Sequence, residues 1–242
     1  MPTQRASVML AGMPPRDFTS TVQSLKSALS GRLPGSDQQA VMAPRPRPGW
    51  EPDFGRVADR ARHAAVLLLL YPREGRPYLP LTLRTGTLES HRGQVSFPGG
   101  ALEPGETDTA AAVREAEEEI HIDPARVAVL GKLTPLHVPV SGYLVHPIAA
   151  VTSTTPDFVA NPIEVEEIYE VSLERLLAAG AVTWCRERHG GREYCVPYFR
   201  VGALMVWGAT AMMLAEFLHL LGWAGAPEPP AALSDGTGRD EP

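Results

Sequence analysis

The segment from Gly99 to Ile122 reads GGALEPGETDTAAAVREAEEEIHI and joins a glycine-rich turn to a long acidic run. Pro104 and Gly105 predict a tight turn, and Thr107 or Asp108 is a suitable N-cap for a following helix. The remainder, AAAVREAEEE, contains mostly strong helix formers. The sequence therefore predicts a helix that begins directly after the turn.

Three glutamates of this helix are expected to share one face. Glu115, Glu118 and Glu119 occupy positions i, i+3 and i+4, which are neighbours on a helix surface. Carboxylates placed side by side raise each other's pKa unless a cation lies between them. Such a set of hard oxygen ligands suits Mg²⁺ or Mn²⁺. For the EAEEE run alone, a solvated acidic face is the alternative, and Glu117 is expected to be solvated.

The spacing within this segment is also specific. It places charged or glycine residues at Gly100, Glu106, Arg114, Glu115, Glu118 and Glu119. This pattern resembles the Nudix box of the Nudix hydrolases. The sequence departs from the family's pattern at His121, where a glycine normally closes the helix, and Ala116 is smaller than the usual aliphatic residue. The resemblance implies a Nudix-type α/β/α sandwich with a mixed sheet and metal-dependent cleavage of a diphosphate.

The proposed metal ligands are Glu115, Glu118 and Glu119, with Glu119 expected to be an exposed ligand in a polar site. The resemblance implies that the Gly100 carbonyl completes the set, since glycine lets the backbone approach the ion closely. Arg114 is expected to orient Glu115 by a charge-assisted hydrogen bond, with a surface ion pair as the alternative. Arg114, Glu115 and Glu119 form the predicted catalytic set.

Two roles near the helix are less specific. Glu106 is expected to support the site by fixing the loop to the helix through backbone hydrogen bonds. The general base stays open between Glu115 and a carboxylate outside the box, either Glu164 or Glu166, because Nudix enzymes differ in where that group comes from.

A second motif precedes the box, where residues 81–100 read LTLRTGTLESHRGQVSFPGG. It resembles the signature of the coenzyme A pyrophosphatase branch, with its Leu-Thr-x-Arg start and terminal Phe-Pro-Gly-Gly. Thr85 replaces a small Ser or Ala, and Glu89 stands where the branch has arginine. Arg84 and Arg92 are candidate substrate-binding residues that could pair with phosphate or, equally, form surface ion pairs.

The leading functional hypothesis is hydrolysis of coenzyme A and its derivatives, releasing 4′-phosphopantetheine and adenosine 3′,5′-bisphosphate, as the resemblance implies. A second hypothesis is hydrolysis of another nucleoside diphosphate derivative such as ADP-ribose or NADH. A third is a ligand sensor that kept the fold and lost catalysis, against which the intact Arg-Glu and Glu-Glu pairs of the box argue.

Composition sets the broad class. The 242 residues carry a net charge of −6, with 44% hydrophobic residues, which fits a globular chain and gives no overall electrostatic footprint for nucleic acid. No signal-peptide pattern opens the sequence, so we expect a cytoplasmic location and two reduced cysteines, Cys185 and Cys195. The expected partner is a small-molecule diphosphate, with neither nucleic acid nor membrane, and a homodimer stays open.

Three parts are expected along the chain. Residues 1–61 hold an N-terminal helix over 17–30 and a proline-rich connecting segment, with loop-like sequence from Gly35 to Gly49. Residues 62–224 form the Nudix hydrolase domain, and residues 225–242 form a disordered tail poor in large apolar residues.

Within the domain, alternating strands and helices indicate a layered α/β fold. The strands predicted from apolar runs are 63–71, 78–84, 127–133, 143–151, 167–171, 182–186 and 194–199, the last three completing one sheet. A short helix is expected over 173–178. The apolar segment 204–223 could span a membrane, but Glu216 and His219 favour a buried core helix.

Overall fold

The computed structural model describes residues 17–46, 61–85, 95–189 and 191–230. Its helices are α1 (Phe18–Leu29), α2 (Ser36–Gln39), α3 (Asp108–Ile120), α4 (Leu173–Leu177) and α5 (Gly208–Leu220), with short 3₁₀ turns at Ala40–Met42 and Pro124–Arg126. Its strands are β1 (Arg62–Arg73), β2 (Arg76–Arg84), β3 (Val95–Ser96), β4 (Gly99–Ala101), β5 (Ala128–Lys132), β6 (Leu136–Val138), β7 (Tyr143–Val151), β8 (Val165–Ser172), β9 (Val182–His189), β10 (Arg192–Val201) and β11 (Leu204–Val206).

Strand β1 is the centre of the main sheet. It pairs parallel with β7 along nine residues, antiparallel with β4, and forms a hairpin with β2. Strand β8 runs antiparallel along β2, while β5 and β6 pair with β7. The sheet is therefore mixed, and its longest strand passes beside the glycine turn that leads into α3.

The two faces of β1 bury different sets of side chains, as the alternation of a strand requires. Ala65, Leu67 and Leu69 pack with the alanines of α3, whereas Leu68 and Leu70 pack with α5 and α1 on the other face. Because both faces are covered, the run from Leu67 to Leu70 is buried without a polar position. The α/β/α sandwich expected from the sequence is confirmed.

The interpretation of Gly35 to Gly49 as a loop is wrong for its first part. Ser36–Gln39 is helical and Ala40–Met42 forms a 3₁₀ turn, because the prolines of this segment begin only at Pro44. Met42 and Gln39 are fully buried. Part of the segment between α1 and the proline run, including Gln39, Met42 and Ala43, is therefore buried in the core.

The last strands do not complete the main sheet. β9, β10 and β11 form a separate three-stranded sheet, since β8 already occupies the edge of β2 along most of its length. In the β9–β10 hairpin Cys185 lies opposite Val196 and Cys195 opposite Arg186, so the two thiols project from different faces. Both cysteines are free.

Two further segments differ from expectation because each pairs with the neighbouring strand in a hairpin. Leu136–Val138, within a predicted connection, is strand β6 against β7. Leu204–Val206, predicted as helix, is strand β11 against β10, and the helix begins only at Gly208. Residues Thr210 to Leu218 of α5 are buried, as expected for a core helix. Over the described ranges, no helix has the length and apolarity needed to cross a membrane.

Candidate active site

Helix α3 is built to lie close to the sheet. The Thr107 hydroxyl caps it by accepting a hydrogen bond from the Ala110 N–H at 3.2 Å. Ala111, Ala112 and Ala116 are fully buried against β1, and their small side chains let the helix approach the strand. The helix ends at Ile120, and the next residue, His121, caps it in the left-handed conformation with φ 55° that glycine normally supplies.

Arg114 is the hub of the loop–helix junction. Its guanidinium binds both oxygens of Glu106, with Nε–Oε1 at 2.9 Å and Nη2–Oε2 at 3.0 Å. It also donates to Glu115 at 2.9 Å, to Glu118 at 3.2 Å and to the Ala101 carbonyl at 3.2 Å. The geometry therefore gives Arg114 an orienting position, with three carboxylates and the turn before the helix held by one side chain.

Glu106 has two partners in this junction. Besides Arg114, it accepts a hydrogen bond from the Glu103 N–H at 3.0 Å within its own loop. The hydrogen bonds from Arg114 lower the pKa of Glu106. This carboxylate is therefore held by its own loop and by Arg114.

Glu119 is buried, contrary to its expected exposure, with only 2% of its surface accessible. Because α3 lies close to the sheet, this position lies beneath the glycine turn. There Glu119 accepts a hydrogen bond from the Gly99 N–H at 3.2 Å. Burial raises the pKa of Glu119 to about 7, although Arg84 and the Gly99 N–H oppose that shift. Burial likewise raises the pKa of Glu115, against the opposing effect of Arg114.

Arg84 lies at the end of β2 and points at this carboxylate. The pairing of β2 with β8 shifts register between Leu83 and Arg84, an irregularity of the kind that re-aims side chains. Arg84 Nη1 is 3.3 Å from Glu119 Oε1, and Nη2 is 4.0 Å from Glu164 Oε2. The sequence predicts that Arg84 pairs with phosphate or forms a surface ion pair. It does not predict the contact with Glu119, because no local pattern encodes it.

Gly99 and Gly100 are both required by close contacts. A Cβ on Gly99, whose φ is 155°, would lie 2.3 Å from the Ala65 carbonyl oxygen. A Cβ on Gly100 would lie 2.4 Å from the carboxyl carbon of Glu115 and 2.5 Å from both of its oxygens. The backbone at Gly100 therefore reaches the Glu115 carboxylate only because it carries no side chain.

A loop after β7 brings Glu164 to the same site. The Asn161 N–H donates to the Glu119 carbonyl at 2.9 Å and the Val159 N–H to the Ile120 carbonyl at 3.2 Å, which ties the loop to the end of α3. The ring of His121 also contacts the Val159 carbonyl, at 3.1 Å. The negative charge of Glu164 raises the pKa of both Glu115 and Glu119, so this carboxylate faces the pair.

Other predicted residues lie apart from this group. Glu166 is exposed on β8, and its charge acts on the Tyr169 phenol. Glu117 is exposed on α3. Arg92 and Glu89 lie outside the described residues. A cluster that the sequence did not indicate joins His63, His146, Asp108 and Lys132 beside the start of α3.

The predicted ligands fit a divalent cation in the chemistry of their donor atoms. As they stand, the described residues include no group of three or more His, Cys, Asp or Glu side chains arranged to hold an ion. Glu115 and Glu118 bind Arg114, and Glu119 faces Arg84. The donors are nevertheless hard oxygens, and a side-chain-free backbone stands against Glu115 at Gly100. The residues present fit Mg²⁺ or Mn²⁺.

A glutamate-rich helix packed on a mixed sheet beside a glycine turn defines a hydrolase of the Nudix class. Comparison with known proteins agrees, since the NUDIX domain family matches residues 61–187. The chain belongs to the Nudix family. It is a hydrolase acting on pyrophosphate bonds, and enzymes of this family act on nucleoside diphosphate derivatives and generally need divalent metal ions, typically Mg²⁺ or Mn²⁺.

Relatives share most of their length with the chain. It is 39% identical to the uncharacterized Nudix hydrolase NudL of Photorhabdus laumondii, covering 66% of this chain and 86% of that protein. It is 36% identical to the uncharacterized NudL of Escherichia coli, covering 71% and 88%. A solved Nudix hydrolase from M. Smegmatis, RenU, aligns at 20% identity and a TM-score of 0.44 over 66% of this chain and 84% of that one.

Proposed function

We propose that this chain hydrolyses the diphosphate bond of coenzyme A and its derivatives, giving 4′-phosphopantetheine and adenosine 3′,5′-bisphosphate. One observation carries the proposal. Both ends of the coenzyme A signature contact the same carboxylate, since Arg84 of its Leu-Thr-x-Arg start and Gly99 of its Phe-Pro-Gly-Gly end lie at Glu119. The signature is therefore adjacent to the proposed chemistry.

In this proposal the metal is held by Glu115, Glu118 and Glu119, with the Gly100 carbonyl as a further oxygen ligand. A divalent ion held by these residues would supply charge neutralisation on the diphosphate and activation of the attacking water. Arg114 holds Glu115 and Glu118 from one side through its contacts at 2.9 and 3.2 Å. Glu106 in turn fixes Arg114, so the ligand face is supported before an ion arrives.

Glu164 is the proposed general base. It lies on a loop whose backbone binds the carbonyls of Glu119 and Ile120. Its negative charge adds to the effect of burial in raising the pKa of Glu115 and of Glu119. Glu166, the other candidate outside the box, is exposed on β8 beside Tyr169. Glu115 is already engaged by Arg114, which favours an orienting or ligand role for it over proton transfer.

The substrate is tested by comparing kcat/KM for coenzyme A, ADP-ribose and NADH with Mg²⁺ or Mn²⁺ present, because specificity is a ratio of these constants. We expect coenzyme A to be preferred. Preference for ADP-ribose or NADH by about tenfold, equivalent to about 1.4 kcal/mol in transition-state binding, would replace the coenzyme A assignment. Glu89→Arg should raise the coenzyme A preference if that departure from the signature weakens phosphate binding.

The same measurements separate the remaining alternatives. Metal-dependent turnover of none of the three substrates, with ADP-ribose still bound, would favour a ligand sensor. As part of the proposal the enzyme acts in the cytoplasm on a small-molecule diphosphate. Sedimentation of the purified chain would determine whether it does so as a homodimer.

A further inference from the structure

Arg84 stands between two carboxylates of the site. Its guanidinium lies 3.3 Å from Glu119 and 4.0 Å from Glu164, and the side chain is 26% exposed. Glu119 is the most buried carboxylate of the site and, among the described residues, finds its counter-charge in Arg84. A buried carboxylate needs such a partner, because its charge has lost the solvation of water.

The contacts of Arg84 differ from those of Arg114. Arg114 forms hydrogen bonds of 2.9 to 3.2 Å with three carboxylates and a carbonyl, including a two-pronged pair with Glu106. Arg84 meets Glu119 through one nitrogen at 3.3 Å and reaches Glu164 only at 4.0 Å. One guanidinium is fixed in place, whereas the other, within the part of the chain that the structure describes, makes one hydrogen bond of 3.3 Å and an ion pair at 4.0 Å. Another cation could replace these contacts.

A divalent ion and Arg84 would compete for Glu119. Any ion bound to this carboxylate would lie within a few ångströms of the guanidinium charge, where repulsion between like charges is strong in a partly buried site. The register shift at Leu83 and Arg84 leaves the side chain at the end of its strand, partly exposed to solvent. The guanidinium can therefore move away without disturbing the ladder of β2.

We infer that Arg84 is a displaceable counter-cation, which neutralises Glu119 before metal binds and is released by the metal to contact the diphosphate of the substrate. The inference rests on the proposed function, which supplies the metal and the diphosphate. Arg84 thus holds the Glu119 carboxylate before the metal binds and contacts the substrate diphosphate afterwards. It couples the two events, because a guanidinium released from Glu119 is free for a new anionic partner.

The test is calorimetric titration with Mg²⁺ alone at pH 8.5, so that protons compete little for the carboxylates. Arg84→Gln is expected to bind Mg²⁺ about tenfold more tightly than the wild-type chain, because the competing charge is gone. Arg84→Lys keeps the charge and should bind close to wild type. Arg76→Gln is the matched control, since Arg76 lies at the other end of β2 and pairs with Glu174 at the same 3.3 Å.

An Arg84→Gln variant with unchanged or weaker Mg²⁺ affinity overturns the inference while leaving diphosphate hydrolysis standing. A second measurement avoids any folding defect of the variants. In the wild-type protein, the NMR signal of the Arg84 side chain should shift with Mg²⁺ and saturate with the calorimetric Kd, while that of Arg76 stays unmoved. An Arg84 signal that does not respond at saturating Mg²⁺ also overturns it, and a chain that binds no Mg²⁺ overturns both proposals.

Discussion

Helices α3 and α5 each carry a buried glutamate on opposite faces of the main sheet, and the two are satisfied in different ways. Glu216 of α5 is fully buried and accepts hydrogen bonds from the Gly35 N–H, the Gln39 amide, and the hydroxyl and N–H of Thr134. Glu119 of α3 is almost as buried. Among the described residues, it accepts one hydrogen bond from the Gly99 N–H and one, at 3.3 Å, from Arg84.

The difference is in the partners, since burial is nearly the same. The donors around Glu216 are neutral groups fixed by backbone and core, so this carboxylate ties α2 and the segment after β5 to α5. Around Glu119 the donors are few and the main partner is a side-chain cation. The fixed neutral donors around Glu216 favour a structural role for this carboxylate, and the side-chain cation at Glu119 favours its proposed role as a metal ligand.

The largest expected effect is the loss of activity in Glu119→Gln. The variant keeps the shape of the side chain but removes a charge from the proposed ligand face, so kcat should fall by about 10² or more. A carboxyl whose pKa in the folded protein lies above its unfolded value is destabilising once ionised, so at pH 8 the neutral variant should keep or raise Tm. Turnover with saturating Mg²⁺ and thermal unfolding measure the two quantities.

Near-normal kcat for Glu119→Gln at saturating Mg²⁺ would remove Glu119 from the ligand set. The matched control is Glu117→Gln, which lies in the same turn of α3 as Glu118 and Glu119 but is exposed to solvent and is no proposed ligand. It should leave both kcat and Tm within experimental error of wild type.

Glu216→Gln should show the reverse pattern. Its new amide group would face donors that now bind a carboxylate, leaving at least one buried N–H without an acceptor, at a cost of about 2 kcal/mol in the free energy of unfolding. The folded protein should retain its kcat. Denaturant unfolding measures the loss, with the exposed Glu174→Gln as a control expected to change stability by less than about 0.5 kcal/mol.

A stable Glu216→Gln variant with reduced kcat would contradict the assignment of Glu216 to structure. It would also mean that a change on the α5 face of the sheet alters catalysis on the α3 face.

The sequence predicted the helix around Glu115 and the strand around Leu67 well, because their signals are local. Helix formers after a capping threonine, and a short apolar run, each specify one element without help from distant residues. The i, i+3, i+4 spacing added the shared face of the glutamates, and the Nudix resemblance added their proposed chemistry. These features position the site.

Contacts between separate helices and strands explain the structural features that the sequence could not predict. The burial of Glu119 depends on how closely three alanines let α3 approach β1, and the partner of Arg84 depends on a register shift against β8. Strand β11 was predicted as helix because its apolar residues fit either element, and only pairing with β10 decides. The first two features need segments that are distant in sequence, whereas β11 is decided by the adjacent strand of its hairpin.

The smallest expected effect is at the glycine turn beside α3, where Gly99 and Gly100 can be compared. In Gly100→Ala the new methyl would lie 2.4 Å from the end of the Glu115 side chain, which can rotate away. The fold should persist while the displaced carboxylate lowers kcat by about tenfold, equivalent to about 1.4 kcal/mol. In the control Gly99→Ala the methyl meets the Ala65 carbonyl and the Val66 backbone, which cannot yield, so stability should fall by about 3 kcal/mol. Equal stability losses in the two variants, measured by denaturant unfolding, would mean that Gly100 serves backbone packing and not the approach to Glu115.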